Sequence, residues 1–189
     1  MKIVVGITGA SGSIYALRLI EVLKKAGHEV HAVVTASGYD VLEYECNIGY
    51  ENLAGMVDKL YDNDNIGAAI ASGSFLVDAM VVLPCSMKTA GSIANSISDN
   101  LLTRAADVAL KEGRKLIIVP RETPMHAGHL ENLLNLARLG AIIMPAAPAF
   151  YHKPQGIDDL INMLVGKICD RLGVEHNLFT RWTGDSDSI

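Results

Sequence analysis

The chain has 189 residues, half of them apolar and a fifth charged, and its net charge at pH 7 is −5. This length suits one domain, and the apolar content is too high for a disordered chain. The acidic balance, without a basic tract, argues against a nucleic-acid partner, and the apolar stretches are too short to cross a membrane. Three cysteines without C-x-x-C spacing predict a reduced, cytoplasmic protein with no disulfide framework or zinc site.

Short β-branched runs alternate with longer helical patterns, which is typical of βαβ units and a parallel sheet. Strands are predicted at 2–8, 29–35, 79–83, 115–119 and 141–144. Helices are predicted at 14–26, 38–45, 51–59, 89–96, 100–112, 126–139 and 156–172, with the weakest pattern between 47 and 70. We therefore expect one α/β domain over 1–182, with helices on both faces of an open, mostly parallel sheet, and a flexible tail over 183–189.

Ligands of such sheets bind beyond the carboxyl ends of the strands. The first strand runs into a glycine-rich turn at 9–12, where the backbone can approach an anion at the start of a helix. A plain turn capped by Ser11 or Ser13 is the alternative. The second strand ends at Thr35 without the acidic residue that nicotinamide enzymes use to bind ribose, so a mononucleotide such as FMN fits better than NAD.

Two further strand ends carry polar residues. The third strand leads into the hydroxyl-rich turn 86–89, preceded by Cys85, which we interpret as a small buried residue because no base accompanies it. The next strand delivers Arg121 and Glu122 between two prolines. They form either a surface ion pair or a functional pair, in which Arg121 holds a phosphate or flavin ring and Glu122 transfers a proton.

Cationic and imidazole side chains also repeat at helical spacing. Arg104 and Lys111 lie seven residues apart and share a helix face, either as a solvated stripe or as part of an anion pocket at the strand ends. His126 and His129 lie three apart and could share a metal. No third ligand accompanies them at matching spacing, so helix surface or subunit packing is favoured and no metal is expected.

Six segments together form a specific pattern: 8–12, 84–89, 100–107, 120–124, 145–152 and 181–182. With them the chain resembles the UbiX-type flavin prenyltransferases, formerly described as small 3-octaprenyl-4-hydroxybenzoate carboxy-lyases or phenylacrylic acid decarboxylases. The similarity runs from Ile3 to about Trp182.

The resemblance implies a Rossmann- or flavodoxin-like, three-layer subunit in a homododecamer that binds FMN between subunits. It also implies a metal-independent transferase that joins a dimethylallyl group from dimethylallyl phosphate to N5 and C6 of reduced FMN. The implied product is prenylated FMN, the cofactor of UbiD-type decarboxylases.

The resemblance further implies roles for individual residues. The implied flavin-binding residues are Gly9, Ala10, Ser11, Thr35, Ser86, Met87, Lys88, Thr89 and Arg121. The implied prenyl-phosphate ligands are Arg104, Lys111, Glu122, Tyr151 and Lys167, and the implied catalytic residues are Glu45, Glu122 and Lys111. Lys167 departs from the family pattern, which has arginine there, so it keeps the charge but loses the bidentate fork.

Three alternatives remain at this point. An FMN-dependent cysteine decarboxylase would share the fold and the first loop, but no histidine matching that family follows Glu45. A non-catalytic flavin carrier would need no ligands for an allylic phosphate. Direct decarboxylation would require a carboxylate-activating cofactor other than the product itself.

Overall fold

The computed structural model describes residues 1–182 and Gly184, so the tail expected over 183–189 lies outside the described residues except at Gly184. The strands are β1 (Lys2–Ile7), β2 (Glu29–Val34), β3 (Lys59–Tyr61), β4 (Ala79–Cys85), β5 (Lys115–Pro120) and β6 (Ile142–Ile143). The helices are α1 (Ser13–Lys25), α2 (Ala36–Cys46), α3 (Tyr50–Met56), α4 (Met87–Ala94), α5 (Leu101–Lys111), α6 (Ala127–Arg138) and α7 (Ile157–Leu172).

All six strands are parallel and lie in the order β3-β2-β1-β4-β5-β6. This confirms the predicted open α/β sheet, and among doubly wound sheets the order is that of the Rossmann fold. The chain reverses its winding direction between β1 and β4, so the loops after these two strands flank a crevice at the carboxyl edge of the sheet. A ligand of this fold is expected there.

Each face of the sheet carries its own apolar core. Ile3, Val5 and Ile7 of β1 pack with α1 and α7, whereas Val4 packs with α4, α5 and α6 on the opposite face. The alternation follows from the two-residue period of a strand. Full burial of each such side chain contributes about 1.5–3 kcal/mol to the free energy of unfolding, so apolar packing holds both helical layers against the sheet. Helix α5 lies so close that a Cβ at Gly6 would meet Leu102 at 3.1 Å.

The segment with the weakest sequence pattern contains the one strand that the prediction missed. The helix predicted over 51–59 ends at Met56, and Lys59–Tyr61 forms the edge strand β3, paired in parallel with His31–Val33 of β2. Three residues are too few to show a two-residue period, and β3 exists because β2 offers it backbone partners. No helix among the described residues is both long and apolar enough to span a bilayer.

Candidate functional site

The loops after β1 and β4 are joined by one buried hydroxyl. The Thr8 hydroxyl donates to the Pro84 carbonyl at 2.7 Å and accepts a hydrogen bond from the Ser86 backbone N–H at 2.8 Å. Thr8 is fully buried, so both bonds are shielded from water. The two walls of the crevice are therefore held at a fixed separation.

The glycine-rich loop lies directly against the start of α2. A Cβ at Gly9 would stand 2.7 Å from the Ser37 Cβ, so only glycine fits there. Gly12, the N-cap of α1, has φ of 107° and offers no side chain to the helix. The alternative of a turn capped by Ser11 or Ser13 is therefore wrong, and the Ser13 hydroxyl is buried without a hydrogen-bond partner.

The carboxylate of Glu45 supplies the missing cap from a different helix. It accepts hydrogen bonds from the backbone N–H groups of Gly12, at 2.9 Å, and Ser13, at 3.0 Å. Partial burial by itself raises the pKa of Glu45, but bonds from Ser11, Gly12 and Ser13 and the charge of Arg121 outweigh it, so the pKa is lowered. Glu45 is therefore an anion at the positive end of α1, and local sequence patterns carry no sign of this contact.

Arg121 closes the same corner from the end of β5. Its backbone N–H donates to the Cys85 carbonyl, and its Nε donates to the Ser11 carbonyl at 3.0 Å. Glu122 points elsewhere, is exposed, and accepts a hydrogen bond from the Thr123 backbone N–H. No salt bridge of the described residues joins Arg121 to Glu122, so the interpretation as a surface ion pair is wrong.

Three residues from distant parts of the sequence therefore meet at the carboxyl edge, and we call Ser11, Glu45 and Arg121 the edge site. A cleft of about 640 Å³ opens beside it. Its remaining lining residues are Gly12 and Ala146, from segments of the sequence pattern, and six that the sequence did not single out, namely Ile14, Tyr15, Cys46, Ile157, Asp158 and Ile161. The cleft is mainly apolar with one cation and two carboxylates, which suits a flat aromatic ring that also carries polar edges.

The hydroxyls at the other strand ends start helices. Thr35 caps α2 by accepting from the Gly38 N–H at 3.1 Å, and Ser86 caps α4 by accepting from the Thr89 N–H at 3.3 Å. Both helices therefore begin at the carboxyl edge, where their first-turn N–H groups can bind an anion. With the close approach at Gly9, this edge fits a flavin mononucleotide whose phosphate lies at a helix start.

The other implied flavin ligands occupy the same edge. Ala10 and Met87 are buried beside their loops, whereas Lys88 is exposed on the first turn of α4. Cys85 is fully buried, and burial raises the pKa of its thiol to about 12, which confirms the structural interpretation over a nucleophile.

The basic residues implied for the prenyl phosphate lie away from the edge site. Arg104 and Lys111 share one face of α5, where Arg104 pairs with Asp107 and Lys111 pairs with Glu112. Lys111 is the last residue of α5, just before β5 begins, so it lies at the amino edge of the sheet. The convergence of both cations on the strand ends is not found within one chain.

Lys167 and Tyr151 lie elsewhere again. Lys167 is exposed on α7, which covers the opposite face of the sheet from α5. Tyr151 follows β6 in the loop at 144–156, with its ring 6.1 Å from that of Trp182. We call Arg104, Lys111 and Lys167 the distal cations, because one chain spreads them over two faces of the sheet.

The histidine pair marks the start of α6. The Nδ1 of His126 accepts from the His129 backbone N–H, and the two rings lie 3.6 Å apart. Among the described residues no three His, Cys, Asp or Glu side chains are grouped to hold a metal ion.

Comparison with known proteins supports a flavin site at the carboxyl edge of the sheet. The flavoprotein family matches residues 1–171. The flavin prenyltransferase UbiX of Methanocaldococcus jannaschii is 50% identical over 182 residues, covering 96% of this chain and 98% of the relative. The chain is thus a flavoprotein by fold and site. Within that class it belongs to the UbiX flavin prenyltransferase family.

Solved structures of UbiX-type proteins have the same fold as this chain. The crystal structure of AnUbiX (PadA1) in complex with FMN and dimethylallyl pyrophosphate has a TM-score of 0.96 at 38% identity, covering 98% of each chain. A dodecameric FMN-dependent UbiX-like decarboxylase from Escherichia coli O157:H7 has a TM-score of 0.93 at 41% identity, covering 97% of this chain and all of that one.

Proposed function

We propose that this protein transfers a dimethylallyl group from dimethylallyl phosphate to N5 and C6 of reduced FMN. The allylic C–O bond breaks and phosphate leaves with the bonding electron pair as N5 bonds to the allylic carbon. The dimethylallyl double bond is consumed when its middle carbon takes up a proton and its tertiary carbon bonds to C6, which closes the fourth ring. N5 and C6 each lose one proton, and of these two protons one goes to the middle alkene carbon and the other to the phosphate. The reduced flavin supplies the electron-rich nitrogen and carbon that make the two new bonds. The prenylated FMN would then serve a UbiD-type decarboxylase.

One observation carries this proposal. At the mouth of the cleft that flanks the β1–β4 switch point, the Arg121 Nε donates to the Ser11 carbonyl, and Glu45 accepts from the N–H groups of the next two residues, Gly12 and Ser13. An Arg beside backbone N–H groups holds an anionic or carbonyl-rich ring edge, whereas a simple nucleotide-binding turn needs no second carboxylate.

The roles of the chain's own residues follow from these positions. Arg121, locked on the Ser11 carbonyl, fixes the ring at the edge site. Glu122, which the family resemblance implies as an acid, has an exposed carboxylate that is open to a ligand, and we assign it to proton transfer to the departing phosphate. The lowered pKa of Glu45 keeps it ionised, so it stabilises positive charge near the prenyl group better than it accepts a proton.

We infer that several copies of the chain build one complete site, since the distal cations lie on two faces of the sheet. The exposed apolar residues Leu130 and Leu134 of α6, together with Phe150 and Ile157, are suited to subunit contacts. A dodecamer would weigh about 240 kDa, twelve chains of 20.2 kDa each. Native mass spectrometry measures this mass directly.

The central experiment incubates the purified protein without oxygen, with FMN, a reductant and dimethylallyl phosphate. We expect mass spectrometry to show a flavin heavier by one C5 unit. A parallel reaction with the diphosphate donor determines donor preference. No adduct with either donor would contradict transfer and favour a flavin carrier. Carbon dioxide released from a peptidyl cysteine substrate would favour the cysteine decarboxylase alternative.

A further inference from the structure

The chain beyond α7 folds back along that helix as a strap, which we define as residues 174–182. The turn is made at Gly173, whose φ of 81° lets the backbone reverse, and the Val174 N–H bonds to the Cys169 carbonyl. The strap then packs onto Gly166 of α7. A Cβ there would lie 2.6 Å from the Phe179 ring and 2.7 Å from the His176 ring.

Asp170 anchors the strap through two partners. Its carboxylate accepts from both terminal nitrogens of Arg181, at 3.0 and 2.6 Å, and from Nε2 of His176 at 3.1 Å. The His176 Nδ1 accepts from the Leu178 backbone N–H, so Nε2 carries the proton that it donates to Asp170. The His176 side chain is only 3% exposed. We call Asp170, His176 and Arg181 the anchor.

Trp182, the residue after the anchor, contacts the loop at 144–156 that carries Tyr151. Trp182 follows Arg181 directly, and its ring meets that of Tyr151 edge-on, with centroids 6.1 Å apart. Edge-to-face packing of this kind contributes about 0.5–1.5 kcal/mol and so favours this orientation of the two rings. Tyr151 lies on an exposed loop at 144–156 with little regular structure of its own, so Trp182 is a fixed support for it.

We propose that Asp170, His176 and Arg181 are positioning residues, which hold Trp182 against Tyr151 and thereby set the Tyr151 hydroxyl for the allylic phosphate. The part that concerns phosphate rests on the proposed function. The anchor itself rests on the contacts alone. Bonds from Arg181 hold the pKa of Asp170 at about 2, so the anchor persists throughout the neutral pH range.

The test uses Trp182, which is the single tryptophan of the chain. We expect Asp170→Asn to shift Trp182 emission to longer wavelength and to increase its quenching by acrylamide, with no substrate present. Arg181→Met should act in the same direction, and Arg181→Lys should lie between it and the wild type. Arg181 is exposed near the end of the strap, so its removal leaves both cores intact. Glu21→Gln, which breaks an exposed pair on α1, is the matched control.

The second readout is kinetic. Asp170→Asn and Arg181→Met should raise the KM for dimethylallyl phosphate about tenfold, with a smaller change in kcat and unchanged FMN binding. Emission and quenching like those of the wild type in both variants would overturn the anchor. Altered quenching with an unchanged KM would overturn positioning of Tyr151. If the wild type itself forms no prenylated flavin, the proposed function fails, and the fluorescence arm still decides whether the anchor holds Trp182.

Discussion

The edge site and the distal cations contrast within one molecule. The edge site is assembled inside one chain, because the side chains of Arg121 and Glu45 both bond to the backbone of the loop at 11–13. The distal cations form no group, and two of them pair with acidic neighbours in the sequence, Arg104 with Asp107 and Lys111 with Glu112. Under the proposed function, we therefore expect one subunit to supply the whole edge site for the flavin, and several subunits together to supply the ligands of the phosphate.

The largest effect should come from removing the acid without touching the edge site. Glu122→Gln should lower turnover by about 100-fold or more, because proton transfer to the leaving phosphate is lost. FMN affinity, measured by flavin fluorescence titration, should stay unchanged. Glu131→Gln on α6 is the control and should keep full turnover. Loss of FMN binding in Glu122→Gln would instead place Glu122 with the edge site.

A mixing experiment separates the two regions directly. Arg121→Ala and Lys167→Ala assemblies should each be nearly inactive. If two chains supply these residues to one site, co-expression should restore about a quarter of the wild-type activity, because a quarter of the sites receive intact residues from both chains. Co-expression of Arg121→Ala with Glu45→Ala should restore nothing, since the edge site lies within one chain. If co-expression of Arg121→Ala with Lys167→Ala restores no activity, Arg121 and Lys167 do not reach one site from two different chains.

Glu45 links the edge site to stability. Its folded pKa lies below the ordinary value of 4.5, so its stabilising effect is complete above that pH and is lost as the pH falls through the lowered pKa. Removing an anion from a helix N-terminus costs about 1 kcal/mol, so Glu45→Gln should lower Tm by about 2–4 °C at pH 7. The difference in Tm between the wild type and Glu45→Gln should shrink as the pH falls below 4.5. Glu43→Gln on the same helix is the control, and an equal loss there would exclude a specific cap.

The smallest effect is a gain among the distal cations. Lys167→Arg restores a planar fork that can bind phosphate through two bonds. We expect the KM for dimethylallyl phosphate to fall about threefold with kcat unchanged. Lys153→Arg, also exposed and cationic, is the control for a nonspecific effect of arginine. An unchanged KM would remove Lys167 from the phosphate-binding group.

The strands of the core could be read from sequence because each is a run of buried β-branched residues. β3 could not, since Lys59–Tyr61 becomes a strand only by pairing with β2. The glycine-rich turn was predicted as a ligand loop, but its true cap was not, because Glu45 lies 33 residues from Gly12. Contacts that depend on packing between helices leave no trace in local spacing.

The same limit applies to the distal cations. The seven-residue interval between Arg104 and Lys111 correctly placed both on one helix face. It did not reveal that α5 carries Lys111 down to the amino edge. That position follows instead from the order of elements along the chain, because a helix that leads into a strand of a parallel sheet ends at the amino edge.

The hydroxyl of Thr8 has a mechanical consequence. Because it bonds to the Pro84 carbonyl and to the Ser86 N–H, it links the loops after β1 and β4 directly. A ligand that binds between the two loops finds them already ordered, so the protein loses little conformational entropy on binding. The buried side chain of Thr8 therefore makes the crevice between β1 and β4 a preformed binding site.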